Sequence, residues 1–335
     1  MTLDPATWLY PTAAGLFCEP GGFYVDPARP VDRAVITHGH ADHARPGNAH
    51  VLATPETLSI MQVRYGDRAG GSLQAIEPGE NVSINGVDVS VAPAGHILGA
   101  AQVILDWKGY RAVVSGDYKR AADPTCAPFE VVKCDLFVTE ATFGLPVFRH
   151  EDAGDEARRL TGSLATSGRT HLLGVYGLGK CQRMISLVRA GGYERPIYLH
   201  GALQGLCDYY VSQGVNLGEL RPAAGASKEE LDGELVLCPP SAIADRWSRR
   251  LGDPVTAFAS GWMRVRARAR QRGAELPLVV SDHADWPELI QTIRDVGAGE
   301  IWVTHGREDA LLHQISQMGL KGRALALVGF EDEGE

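Results

Sequence analysis

Three histidines and an aspartate fall within six consecutive positions, His38, His40, Asp42 and His43, in the stretch VITHGHADHARPG that begins at Val35. The chain has 11 histidines in all, so this is a concentration of the side chain that binds transition metals through a neutral ring nitrogen. His38 and His40 are two apart; in extended chain they point the same way and can grip one ion. Asp42 and His43 lie in the turn that follows, offset enough to grip a second. The motif thus supplies two half-shells, and the remaining ligands must come from elsewhere in the chain.

Short apolar, β-branched runs recur along the sequence, each stopped by Gly, Pro or a polar residue, and these read as strands. Six of them end in a residue that can bind metal or move a proton: RAVIT leads into His38, DVSVAPAG into His96, YRAVVSG into Asp117, DLFVT into Glu140, LPLVVSD into His283 and EIWVT into His305. Side chains at strand ends and in the following loops converge on one edge of a sheet, where open α/β architectures place their sites. One histidine after a strand is ordinarily a hydrogen-bonded core residue; six such strand ends argue for a shared site.

On these residues the chain resembles the metallo-β-lactamase fold: HGHADH is followed by His96 in PAGHILGAAQV and by Asp117 in VVSGDY. TEATFG at Glu140, SDHADW at His283 and THGRED at His305 resemble the additional motifs of its β-CASP nuclease branch, which includes RNase J, Artemis and the cleavage nuclease of mRNA 3′-end processing. Within that branch it looks most like the bacterial ligase-associated DNA exonucleases. The resemblance implies an α/β fold, a four-layer αββα sandwich carrying an inserted α/β cap. It also implies one metal bound by His38, His40 and His96 and a second bound by Asp42, His43 and His305, with Asp117 bridging. Asp26, in GFYVDP, matches the aspartate that orients the ligand loop, and it reads equally as a turn residue before Pro27. Glu140 and His283 would act with Asp117 at the scissile phosphate, His283 stabilising charge or protonating the leaving oxygen; the alternative is a structural hydrogen bond.

Mixed imidazole and carboxylate ligands suit Zn²⁺ or Mn²⁺ better than the all-oxygen sites of Mg²⁺ or Ca²⁺. Paired ions of that kind activate a water and clamp phosphate oxygens, which is the chemistry of phosphodiester hydrolysis.

Three segments follow from this reading: 1–144 and 278–335 form the metal-binding domain, and 145–277 is the cap. Inside the cap, RTHLLGVYGLGKCQRMISLVRAGG reads as strand, glycine loop and helix, and RPIYLHGALQGLCDYYVSQG repeats that order. GVYGLGKC nearly satisfies the ATP-binding loop pattern, but Cys181 stands where a hydroxyl should hold Mg²⁺. What remains is either a phosphate contact at Gly179 and Lys180 or a glycine turn with no ligand.

Lys and Arg number 32 against 41 Asp and Glu, a net charge of −9, so a polyanion partner requires a local basic patch. SGWMRVRARARQR is the candidate: Ser260, Trp262, Arg264, Arg266 and the arginines up to Arg272 could track a phosphate backbone while Trp262 stacks on a base. The alternative is a solvated basic surface with Trp262 in the core.

The function expected is a two-metal nuclease on DNA, single-stranded or with free ends, most simply a 5′ exonuclease in DNA repair beside a DNA ligase and a helicase. An RNA-processing nuclease, a thioester or lactone hydrolase on the same metals, and a scaffold that has lost its metals are the alternatives. No apolar run reaches the length needed to span a bilayer, the six cysteines form no C-x-x-C pair and the N-terminus lacks a signal-peptide pattern, so the expectation is a cytoplasmic protein with no membrane partner. His150, His171 and His200 carry no assigned role.

Overall fold

The computed structural model describes residues 3–325. Its chain divides into one unit of Met1–Arg149 with His283–Glu335 and a second of His150–Asp282.

In the first unit, period-two burial builds two sheets around one core. Along Val87–Pro93, Val87, Val89 and Val91 turn inward while Asp88 is exposed. A seven-stranded sheet runs in the order Lys321–Ala324, Glu300–Gly306, Leu136–Ala141, Tyr110–Val114, Ala101–Trp107, Val87–Pro93 and Asn81–Ile84. A six-stranded sheet runs in chain order from Leu9–Thr12 to Ser72–Ala75. Trp8, Leu16, Phe23 and Val35 of the second sheet's side share a buried cluster with Val103, Leu136, Val138 and Trp302 of the first, so the core lies between the sheets.

Helices close both outer faces. Pro55–Tyr65, started by Thr54 and Pro55, buries Leu58 and Met61 against Ala34, Ile36 and Val51. On the other side Trp286–Val296 and Glu308–Gln317 cover Leu136–Ala141, Glu300–Gly306 and Lys321–Ala324. Asp285 and Glu288 form a capping box on the first of these helices, and Gly297 ends it in the left-handed region. Helix, sheet, sheet and helix give the four-layer αββα sandwich expected from the sequence.

The second unit is built on an all-parallel sheet in the order Leu220–Pro222, Ile197–Leu199, Leu235–Cys238, His171–Gly174, Val255–Ala259 and Leu276–Leu278. Its central strands are continuous apolar runs buried along their whole length, as a sheet covered on both faces requires. The strand–loop–helix order read twice in the sequence is present: His171–Gly174 precedes the helix Lys180–Ala190, and Ile197–Leu199 precedes Gly201–Ser212.

The division between units lies close to the expected one. It falls after Arg149 and Asp282, five residues beyond 144 and 277 at each junction. The run LPLVVSD explains the second shift: Leu276–Leu278 pairs with Val255–Ala259 as an edge strand of the second unit's sheet, and the chain re-enters the first unit only at His283.

Candidate metal centre

Every residue of the histidine-rich groups lies in the first unit, at or just beyond the end of a strand. Arg33–Val35 runs into His38, Val87–Pro93 into His96 and Tyr110–Val114 into Asp117, while Glu140 and His305 sit at the ends of two paired parallel strands. In that last pair Glu140 opposes Thr304 and Ala141 opposes Gly306, so His305 is the extra residue of a bulge, with φ 59°. A bulge re-aims a side chain, and here it turns His305 toward His43, their ring centroids 5.2 Å apart. Gly306 permits the bulge: a Cβ there would overlap the carbonyl oxygen of Ala141.

Three ligand groups form, each with its donor atoms within 4.8 Å of one another: His38, His40, His96 and Asp117; His43, Asp117 and His305; and Asp117, Glu140 and His283. In the first, Nδ1 of His40 lies 3.2 Å from Nε2 of His38 and 3.0 Å from Nε2 of His96. Oδ2 of Asp117 stands 3.5 Å from His38 Nε2 and 3.3 Å from His43 Nε2, so one carboxylate oxygen serves both histidine clusters. Asp42 falls outside these groups; its Oδ2 is 3.7 Å from His43 Nε2 and its side chain is partly exposed.

Asp26 accepts hydrogen bonds from the Thr37 amide at 2.8 Å, the Thr37 hydroxyl at 2.6 Å and His43 Nδ1 at 2.8 Å. Its φ of 45° is a strained value for a residue with a side chain, held by these bonds. Glu140 receives the Tyr118 amide on Oε1 at 2.8 Å and His283 Nδ1 on Oε2 at 3.0 Å. Thr37 and Tyr118 are the contributors that residue type alone did not reveal; only their adjacency to His38 and Asp117 hints at them.

Burial, reinforced by His43, holds the His38 imidazole well below the usual histidine range, and the same two causes push His305 down to about 3. Burial also opposes a proton on His43, but the carboxylates of Asp117, Asp42 and Asp26 outweigh it and hold His43 well above that range. Asp117 is held well below the carboxylate range because His43, His283 and His38 more than offset its burial. Glu140 moves upward, chiefly through burial.

The donor set fits a transition metal. Three imidazole nitrogens and a carboxylate oxygen within 4.8 Å of one another are a donor set that one cation can take at a single centre. Imidazoles with a shared carboxylate match Zn²⁺ or Mn²⁺ chemistry rather than an all-oxygen site.

The residues expected to bind substrate are placed differently, all in the second unit. Gly179 takes φ 83° and starts the helix Lys180–Ala190, its amide donating to Gln182 Oε1 at 2.8 Å. Lys180 is buried, with Nζ 2.7 Å from Asp282 Oδ2, so its charge is engaged inside the unit rather than offered to a phosphate. Ser260 is buried, and its hydroxyl caps the turn Gly261–Arg264 by accepting the Trp262 amide. Trp262 is a core residue with the Arg268 guanidinium 3.9 Å above its ring, which leaves no open face for a base. Arg266–Gln271 is helical, so the arginines spread around it instead of lining one face; Arg264 pairs with Glu151, and Arg266 and Arg270 are exposed.

Two unassigned histidines have structural partners. His171 is bonded to Ser163 at 2.8 Å and to the Arg169 carbonyl at 2.9 Å, and His200 caps the helix Gly201–Ser212.

No family model matches the chain. Among curated proteins it is 25% identical over 327 residues to a probable DNA ligase of Opitutus terrae, a match covering 95% of this chain and 31% of that one. It is 30% identical over 219 residues to endoribonuclease ysh1 of Aspergillus fumigatus, covering 54% and 24%. It is 25% identical over 215 residues to cleavage and polyadenylation specificity factor subunit 3-I of Arabidopsis thaliana, covering 54% and 30%. The chain therefore spans about a third or less of the length of these relatives. A crystallised protein of unknown function from Enterococcus faecalis superposes with a TM-score of 0.60 at 12% identity, over 89% of this chain and 80% of that one, a likeness of fold alone. Among the described residues no helix is long and apolar enough to cross a membrane.

Proposed function

From a chain that has the metallo-β-lactamase fold with the β-CASP insertion, and that is related to these nucleases, we propose a two-metal phosphodiester hydrolase acting on nucleic acid. The observation that carries this reading is the single Asp117 oxygen reached by both histidine clusters.

His38, His40 and His96 would hold one ion and His43 and His305 the other, with Asp117 between them and Asp42 at the edge of the second. When bound, such a pair lowers the pKa of a water and neutralises phosphate charge. The chain's own residues do the rest. Asp26 keeps His43 turned so that Nε2 faces Asp117. Glu140 holds Nδ1 of His283, so Nε2–H is the donor that would protonate the leaving oxygen while hydroxide, formed by loss of a water proton to solvent, bonds to phosphorus and the ester bond breaks.

The ligase-named relative favours DNA, and the substrate we propose is a DNA end attacked from its 5′ side during repair in the cytoplasm, beside a ligase and a helicase. The relatives named endoribonucleases favour RNA as the second reading. The test uses DNA and RNA of one sequence, each labelled at the 5′ or the 3′ end, incubated with Mn²⁺ or Zn²⁺. Early release of 5′-terminal nucleotides from DNA supports the first reading. Cleavage confined to RNA supports the second, and hydrolysis of neither overturns both.

A further inference from the structure

We propose that Thr37 is a positioning residue that ties both ligand clusters to one carboxylate, by relaying Asp26 to His38. The proposal rests on the two-metal reading of this centre.

The hydrogen-bond directions leave one arrangement. The Thr37 hydroxyl has a single proton, and it donates to Oδ2 of Asp26 at 2.6 Å. The same oxygen lies 3.0 Å from Nδ1 of His38. With its proton given to Asp26, the hydroxyl can only accept, so the proton between Thr37 and His38 belongs to Nδ1. That tautomer leaves the lone pair on Nε2, the atom 3.2 Å from His40 Nδ1 and 3.5 Å from Asp117 Oδ2.

The other branch is direct. Oδ2 of Asp26 also accepts from Nδ1 of His43 at 2.8 Å, which turns His43 Nε2 toward Asp117. One carboxylate thus sets the ring of His43 itself and the ring of His38 through Thr37. Asp26, Thr37, His38 and His43 are all buried, so no bulk water competes for these bonds. Gly116 shapes the space: a Cβ there would stand 2.6 Å from the Thr37 hydroxyl oxygen, and its φ of 56° suits glycine.

The relay predicts an asymmetric defect. Thr37→Val keeps the shape and removes the hydroxyl; Thr37→Ser keeps the hydroxyl; Asp26→Asn disturbs both branches. Zn²⁺ is titrated against a chromogenic chelator, with no nucleic acid present. Thr37→Val should weaken one of two sites by about 10–100-fold, Thr37→Ser should restore it, and Asp26→Asn should weaken both. Equal affinities in wild type and Thr37→Val overturn the proposal, as does a defect in Thr37→Ser equal to that in Thr37→Val.

A second measurement needs no variant to fold. The ¹⁵N imidazole spectrum of the metal-free wild type should show His38 protonated at Nδ1, and a proton on Nε2 alone overturns the relay. A protein that binds two ions through this relay yet cuts no nucleic acid retires the nuclease reading only; one that cuts nucleic acid but shows the wrong tautomer retires the relay only.

Discussion

Nδ1 of His283 lies 3.0 Å from Oε2 of Glu140, a contact buried at the edge of the ligand cluster and joining residues 143 positions apart. His283 Nδ1 is also 3.9 Å from Asp117 Oδ2, so the pair borders the metal centre without belonging to either of the two histidine-rich groups. If His283 moves a proton, His283→Gln and Glu140→Gln should each lower kcat by about 10²–10⁴-fold while leaving metal content unchanged. Single-turnover hydrolysis with elemental analysis of the same samples checks this. A decline of metal content in step with activity would make these residues ligands instead.

Asp282 carries the second prediction. It is buried between Lys180 Nζ at 2.7 Å and Arg183 Nη1 at 3.4 Å, and Arg183 also donates to the Ser281 carbonyl. Asp282→Asn removes the carboxylate charge that faces two buried cations and should cost about 3–5 kcal/mol of stability. Urea unfolding measures it; a change below about 1 kcal/mol, the size of an exposed pair, contradicts the buried-pair account.

The basic helix gives the third. Arg266 and Arg270 are exposed, whereas Arg268 covers Trp262. Arg266→Ala with Arg270→Ala should weaken DNA binding and reduce the slope of log affinity against log salt by roughly 1 for each phosphate no longer neutralised. Trp262→Phe should leave affinity unchanged, since the indole is packed inside the unit. Fluorescence anisotropy over a salt series reads both, and a large drop in affinity in Trp262→Phe would restore the stacking role that burial argues against.

The fourth concerns pH. Burial lowers the pKa of His171 below 6.5, although its bond to the Arg169 carbonyl works the other way. The unfolded chain then takes up a proton at about 6.5 that the folded chain refuses until a lower pH. Its stability contribution is therefore complete above pH 6.5 and declines as pH falls from 6.5 toward the lowered value. Unfolding free energies of wild type and His171→Gln, compared between about pH 5 and pH 7, should converge on the acid side. A difference that is constant across this range, or that grows toward acid, contradicts the assignment.

The convergence of His38, His96, Asp117 and His305 was legible because each follows or ends a strand of one unit, whereas their division into two ligand sets came from the resemblance. The four layers were implied by the resemblance, and the structure shows their physical basis in strands whose inward valines alternate with polar residues. The sequence left the environments of Lys180, Ser260 and Trp262 open for the opposite reason. Each type serves equally in a core or a binding surface, and their surroundings are set by Asp282, by the Trp262 amide and by Arg268. LPLVVSD misled because a strand's sheet is decided by its partner, here Val255–Ala259, and not by the ligand that follows it. Asp42, expected in the second group, stands beside it in the turn, its Oδ2 3.7 Å from His43 Nε2.

The shared oxygen of Asp117 is the central claim, and metal stoichiometry measured alongside cleavage tests it most directly. Metal-free protein is titrated with Mn²⁺ or Zn²⁺ while bound ions per chain and hydrolysis of end-labelled DNA and RNA are followed together, for wild type and Asp117→Asn. The account predicts two ions per wild-type chain, hydrolysis that rises as the second ion binds, and loss of tight binding at both sites and of hydrolysis in the variant. Full hydrolysis with a single ion, or an Asp117→Asn protein that keeps both ions at wild-type affinity, would contradict it.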